Sequence, residues 1–328
     1  MQFVRKINTQ FFIRLLLMIL AFIAVDQAAG AFIYYFFTRQ VSGEFAVANH
    51  VVYNLNEDVL ILGSSRASHH YNSSHIKDGL KLSCFNGGRD GEGILYSTGI
   101  FELALQRHIP KVVILDVNSD VLTEKEDEKN KLSILLPYLK QSDVVANMIV
   151  KKGKLELLKS NLQTYRYNGQ LFSIFQHHFL SSGNTVMGFN PLDNKMDAGR
   201  SFSRSSSLKP YADNISADNV DALNLFITEC KRQKIQLFVF VSPRYNDDTK
   251  LNSYLKLKSI CNSNEVVFHD FTNDVFFKNA AYYSDRAHLN SRGADLYTDT
   301  IVAFMKKRLT PAVNGQYLSE NETQADEN

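Results

Sequence analysis

Val59-Leu60-Ile61-Leu62-Gly63-Ser64-Ser65-Arg66 sets four consecutive apolar residues directly before a glycine and two serines. So short and continuous an apolar run, without polar alternation, is expected of a strand covered on both faces, as strands in parallel sheets are. Working outward, comparable runs recur at 82–85, 112–115, 237–241 (stopped by Pro243) and 266–268. Between and after them, helical patterns are read at 93–107, 217–233, 251–260 and 292–308. This alternation predicts an α/β fold with a mainly parallel sheet flanked by helices.

The alternation lapses between 121 and 210. Two helix-like stretches lie there, at 132–150 and 155–180, followed by a Ser-rich segment at 201–207. An interruption of roughly ninety residues is too long for a simple connection. It is expected to be a helical insertion, a lid or subdomain on the sheet. The main domain is read as 55–308, and the polar, acidic tail at 309–328 is expected to be disordered.

The N-terminal segment has a different character. Leu15 to Phe37 is apolar except around Asp26-Gln27 and would be roughly 34 Å long as a helix, enough to cross a bilayer. Asp26 would cost about 2.5–3.5 kcal/mol near the centre, and about a dozen Leu, Ile, Val and Phe residues at roughly 0.3–0.6 kcal/mol each outweigh it. Residues 11–37 are therefore read as a transmembrane anchor. Arg5, Lys6 and Arg14 favour a cytoplasmic N-terminus (1–10), with the rest on the far side of a cell (inner) membrane, in the periplasm or its equivalent. A cleaved signal peptide is the rival reading, since Ala29-Gly30-Ala31 is a small-residue pattern. The apolar run resumes at once in Phe32-Ile33-Tyr34-Tyr35, which favours the anchor. Asp26 is either in contact with a partner helix or merely tolerated.

Composition excludes some function classes. Apolar residues make up 45% of 328, charged residues 21%, and the formal net charge is only +2, so no broad basic surface points to nucleic acid. Three cysteines, Cys84, Cys230 and Cys261, are too few for a disulfide scaffold and lack metal-ligand spacing. Cys84 reads as core, and a single disulfide stays open. No metal or cofactor is called for.

The chemistry-bearing residues cluster at strand ends and helix starts. Ser65, in the turn after a strand, has its hydroxyl at the carboxyl edge of the sheet, where its N–H can also help bind an oxyanion. Asp285-Arg286-Ala287-His288 sets a carboxylate and an imidazole three residues apart. The carboxylate can fix the ring's tautomer, leaving the other nitrogen to activate a serine hydroxyl. Gly91, in Asn86-Gly87-Gly88-Arg89-Asp90-Gly91, and Asn118, after the 112–115 run, are candidate oxyanion donors; read singly, they are a turn glycine and a strand-end cap. His69, His70 and His75 lie close to Ser65 without a carboxylate at matching spacing and are read as surface groups or as supports behind the reacting residues. Arg66 is either a holder of an anionic substrate group or a salt-bridge partner. Asp116 and Asp120 are read as structural.

In this order the blocks resemble those of the SGNH (GDSL-like) hydrolases. Gly63-Ser64-Ser65 resembles the Gly-Asp-Ser block, with Ser64 in place of Asp. Gly91 stands five residues after Asn86, as in the glycine block. Asn118 matches the asparagine block, although Asp116 and Ser119 depart from its usual glycine and aspartate. Asp285-Arg286-Ala287-His288 matches the last block. The resemblance implies a three-layer, flavodoxin-like domain, with Ser65 as nucleophile, His288 as base and Asp285 as its orienting partner. Gly91 and Asn118 would complete the oxyanion hole. Gly-Ser-Ser looks like membrane-anchored branches that handle cell-envelope polymers. The expected activity is therefore an esterase or O-acyltransferase acting on an O-acylated (O-acetylated) envelope glycan or another ester. The expected partners are the bilayer, through the N-terminal helix, an acylated glycan or other ester substrate, and another membrane protein, with no nucleic acid. The alternative is a non-catalytic SGNH-like domain that binds glycan or scaffolds envelope machinery.

Overall fold

The structure is a computed structural model that describes residues 9–125, 127–180, 185–196, 214–245 and 252–309. The Ser-rich segment 201–207, Arg5 and Lys6, and the tail beyond 309 lie outside the described residues. Along the chain come α1 (Thr9–Phe37), α2 (Gly43–Asn49), β1 (Val59–Leu62), α3 (Ser65–His70), α4 (Ser73–Leu80), β2 (Cys84–Asn86), α5 (Ile94–Arg107) and β3 (Val112–Asp116). The insertion follows with α6 (Glu128–Lys131), α7 (Asp143–Lys152), α8 (Glu156–Lys159) and α9 (Leu171–Phe179). The chain then continues through α10 (Ala217–Arg232), β4 (Gln236–Val241), α11 (Asn252–Ser263), β5 (Val267–Asp270) and α12 (Ser291–Lys306).

All pairings in the sheet are parallel, in the order β2-β1-β3-β4-β5. This is the flavodoxin-like order, whose switch point lies between β1 and β3. The continuous apolar runs have the physical basis expected of them. Leu60, Leu62, Val113 and Leu115 pack into a core with α5 and α10, while Val59, Ile61, Val112 and Ile114 pack into a second core with α4 and α12. Both faces are thus covered, giving three layers. Complete burial of a Phe such as Phe238 or Phe240 contributes roughly 1.5–3 kcal/mol. Cys84, Cys230 and Cys261 are buried free thiols.

The insertion differs in detail from its sequence pattern. An antiparallel bridge between Thr123 and Ile215 closes its base. The expected helix at 132–150 is a 3₁₀ segment, Leu132–Gln141, followed by α7. Pro137 lies inside the first piece, where it lacks an N–H for an α-helical bond, and Ser142 caps the second by accepting from the Val144 N–H. The expected helix at 155–180 is split into α8, a 3₁₀ turn at Thr164–Tyr167, and α9.

α1 is long and apolar enough to cross a membrane. Its two ends differ. The first part is exposed, whereas Asp26, Gly30, Ile33 and Phe37 are buried against the rest of the chain. Phe37 packs against the rings of Phe45, Tyr138 and Tyr167. Asp26 is held by the insertion: it accepts from the Gln163 N–H at 2.7 Å, the Thr164 N–H at 3.2 Å and the Thr164 hydroxyl at 2.6 Å.

Candidate active site

Ser65 is the first residue of α3, immediately beyond the carboxyl end of β1. The turn that delivers it depends on Gly63, whose φ of +144° lies in the region that favours glycine. A Cβ there would stand 2.4 Å from the Asp116 carbonyl oxygen, so β1 and β3 approach each other closely at the switch point. Ser64 is extended (φ −86°, ψ −156°) and leads into the helix.

From the other end of the chain, Tyr283 and Leu289 form a short antiparallel bridge that folds 284–288 into a tight loop before α12. Asp285 accepts from the backbone N–H groups of Ala287 (2.7 Å) and His288 (2.9 Å), which shapes this loop. Its Oδ2 lies 2.9 Å from His288 Nδ1, and His288 Nε2 lies 2.8 Å from Ser65 Oγ. Burial works to raise the Asp285 carboxyl, but the bonds from His288 and Ala287 outweigh it and hold the carboxyl below its ordinary value. Carboxylate, imidazole and hydroxyl thus form one continuous relay, assembled from Asp-x-x-His and a strand-borne serine 223 residues away.

Asn118 follows β3, beside β1 at the same sheet edge. Together with Gly63, Ser64, Glu92, Gly93 and Glu128 it lines a cavity of about 30 Å³. Burial pushes the Glu92 carboxyl up to about 7. Gly91 (φ +75°) lies in the loop after β2, where an added Cβ would meet nothing within 4 Å. That loop is tied to the β1–α3 turn: the Arg89 N–H donates to the Gly63 carbonyl at 3.1 Å, and the Gly87 N–H donates to Ile61 at 2.8 Å. Asn86 fastens the other side, its amide donating to the carbonyls of Ala67 (2.7 Å) and Tyr71 (3.0 Å).

Of the two readings open to the histidines beside Ser65, His69 and His70 take the supporting one and His75 the surface one; what differs from the sequence reading is the carboxylate. His69 and His70 are buried, and His69 does have a carboxylate. Its Nε2 lies 3.0 Å from Asp90 Oδ2 and its Nδ1 lies 2.6 Å from the Asn190 carbonyl. Both ring nitrogens therefore face acceptors, which suits an imidazolium. Burial disfavours that cation, but Asp90 and Asn190 outweigh it and raise the ring above its ordinary value. His69 thereby clamps the residue next to Gly91, and its ring centroid is 5.5 Å from that of His288.

His70 is the opposite case. Its Nε2 accepts the Leu289 N–H at 2.9 Å, so Nδ1 carries the proton and donates to Ser242 Oγ at 3.1 Å. Burial and then the nearby Arg66 charge hold it well below its ordinary value, as a neutral ring. His70 thus fixes the backbone immediately after His288. His75 is at the surface and pairs with Asp299 at 2.9 Å.

Arg66 is turned inward, of the two readings open to it the structural one. It donates to the carbonyls of Val117 (2.6 Å) and Ser242 (3.0 Å) and stands 3.6 Å from Asp116, which also accepts from the Tyr71 hydroxyl at 2.6 Å. Asp120 makes an ion pair with Lys125 at 3.0 Å. The only sequence signal for the roles of His69 and His70 was their position directly after Ser65. Their partners Asp90, Asn190, Ser242 and Leu289 lie 21, 121, 172 and 219 residues away.

No family model and no curated protein matches the chain. Among solved structures it is similar to a protein assigned to the G-D-S-L lipolytic family from Desulfitobacterium hafniense DCB-2. That likeness has 10% identity and a TM-score of 0.36, and covers 76% of this chain and 99% of that one. It is also similar to a gut microbial diltiazem-metabolizing enzyme, at 11% identity and a TM-score of 0.34, over 75% of this chain and 47% of that one. Neither likeness carries the functional argument, which rests on the geometry of the site.

Proposed function

We propose that this chain is a membrane-anchored serine esterase or O-acyltransferase of the SGNH type. The observation that carries the reading is the unbroken relay Asp285–His288–Ser65, with the hydroxyl at the carboxyl edge of a parallel sheet. Ser65 Oγ attacks an ester carbonyl while His288 Nε2 takes its proton. Asp285 holds the imidazole in the required tautomer and stabilises the imidazolium. The N–H groups of Ser65 and Gly91 and the Asn118 amide are the proposed oxyanion donors. As the tetrahedral intermediate collapses, the ester C–O bond breaks and His288 returns the proton to the leaving alcohol. The acyl group stays on Ser65. Water or a second hydroxyl, deprotonated by His288, then resolves the acyl-enzyme.

The cavity beside Ser64 and Asn118, at about 30 Å³, has room for little more than one or two water-sized groups. Neither Ser65 nor His288 lines it, so it does not set the size of the acyl group. An extracytoplasmic site, inferred from Arg5, Lys6 and Arg14 ahead of the apolar run that starts at Leu15, supports an O-acetylated envelope glycan as substrate.

The test is fluorophosphonate labelling of the full chain in detergent, with peptide mapping and turnover of an activated acetyl ester. An adduct on Ser65, with labelling and turnover lost in Ser65→Ala and His288→Ala at unchanged thermal unfolding, is the expected result. A folded chain that neither labels nor turns over would favour a glycan-binding or scaffolding role. Turnover retained by Ser65→Ala would refute the assignment.

A further inference from the structure

α1 is too short to cross a bilayer by its unpacked part alone. Counting generously from Thr9, the part with no packed face ends at Val25, seventeen residues or about 25 Å of helix, against a hydrocarbon core of about 30 Å; beyond it Phe32, Tyr34 and Tyr35 stay exposed while Asp26, Gly30, Ile33 and Phe37 are packed. Counted from the first residue after Arg14, the unpacked part is about 16 Å. A span of about 30 Å starting at Leu15 reaches Tyr35. It therefore includes Asp26 and Gly30, which are packed against the insertion.

The insertion runs alongside that upper part. Gln163 and Thr164 bind Asp26, Phe175 packs against Phe32 and Phe36, and His177 and His178 bond the chain at Val41 and Arg39. Whatever depth residues 26–35 of α1 occupy, residues 163–175 share it. Around these contacts the insertion leaves large apolar side chains uncovered: Leu155 is 62% exposed, Leu158 67%, Phe172 82% and Phe179 69%. Lys151, Lys152, Lys154 and Lys159 are close to Leu155 and Leu158 in the chain, Lys151 paired with Asp218 and Lys152 and Lys159 with Glu156. An apolar face with lysines close by in the chain suits the boundary between acyl chains and anionic headgroups.

We infer that the α8–α9 part of the insertion, residues 155–180, is embedded in the outer leaflet beside α1, so that the protein meets the membrane through a span and a partly immersed module together. This rests on reading α1 as an uncleaved anchor. The Asp26 contacts then also have a function: they satisfy a carboxylate within the bilayer using protein donors, where water is absent.

The test uses the full chain in vesicles of phosphatidylcholine and phosphatidylglycerol, with an environment-sensitive fluorophore on single introduced cysteines. The native thiols are buried, and the unmodified chain gives the background. Leu158→Cys and Phe172→Cys probe the insertion, and Leu20→Cys probes the span. Val275→Cys, 78% exposed beyond β5 at the sheet edge opposite β2, reports the aqueous side. Lipids carrying a nitroxide on the acyl chain should quench the probes at 20, 158 and 172 and spare 275. If 20 is quenched while 158 and 172 respond only to aqueous iodide, the inference is overturned and the anchor stands. Protection of 158 and 172 from both quenchers would mean that protein, a second copy or another chain, covers the face, which also overturns it. An unquenched probe at 20 would remove the anchor reading and the inference together.

Discussion

His70→Phe separates the proposed machinery from its supports. His70 is fully buried, and its Nε2 accepts the Leu289 N–H at 2.9 Å. Phenylalanine fills a similar volume but accepts nothing. The substitution leaves the buried Leu289 N–H without a partner, about 1–3 kcal/mol, and also removes the bond to Ser242 Oγ, about 0.5–1.5 kcal/mol, so the expected destabilisation is about 1.5–4.5 kcal/mol. For a domain of this size each kcal/mol lowers Tm by roughly 2–4 °C. Because Leu289 directly follows His288, releasing its backbone should also let the imidazole drift from Ser65. A misplacement near 1 Å costs roughly 10²-fold in rate. The assay is thermal unfolding together with steady-state turnover of an activated acetyl ester, with the fluorophosphonate labelling rate as a second readout. The expected result is a fall in Tm and a fall in kcat of roughly 10²-fold, with KM little changed. A lowered Tm with unchanged kcat would mean that His70 is only structural. An unchanged Tm would refute the hydrogen-bond argument itself.

Three further outcomes are expected. Asp285→Ala should lower kcat by about 10²–10³-fold, less than for a fully buried carboxylate because the side chain is 57% exposed; full activity would show that His288 is oriented without it. Stability should be greatest near pH 6.5 for the two buried histidines. Below that value the unfolded chain protonates residue 70 while the folded chain resists, and above it the folded chain keeps the His69 proton that the unfolded chain loses. Each limb has a slope of up to about 1.4 kcal/mol per pH unit, and the His69 contribution is lost as pH rises through its raised folded value. Urea unfolding across pH would measure this, with His70→Phe flattening the acid limb; a flat wild-type profile would contradict both protonation assignments. Gly63→Ala should abolish accumulation of folded protein, since its Cβ would stand 2.4 Å from a backbone oxygen at a φ of +144°; normal yield and Tm would show that the switch point can relax.

The sheet was legible because its strands announce themselves locally. The run at 59–62 matches β1 residue for residue, and the other strands shift by one or two positions at their ends. The meeting of Ser65, Asp285 and His288 was legible because Ser65 starts a helix just past a strand and Asp-x-x-His is a short motif in the loop just ahead of α12. The insertion was read less well. Its apolar content suggested two long helices, but periodicity does not register how Pro137 and the 3₁₀ turn at Thr164–Tyr167 divide them. The supports of the site were hidden for another reason. A histidine's tautomer and charge depend on what its two nitrogens meet, and for His69 and His70 those groups come from distant parts of the chain.

The distance between Ser65 and His288 along the chain also sets when the relay can exist. β1, β2 and β3 leave the ribosome early, and the proposed nucleophile with them, but its proposed base arrives just ahead of α12, the last helix described. A chain stopped by premature termination or clipped before residue 285 therefore carries a serine with no imidazole to activate it. On the function proposed above, truncated products would be inert toward esters, and turnover is confined to chains that have closed α12 onto α3 and α4.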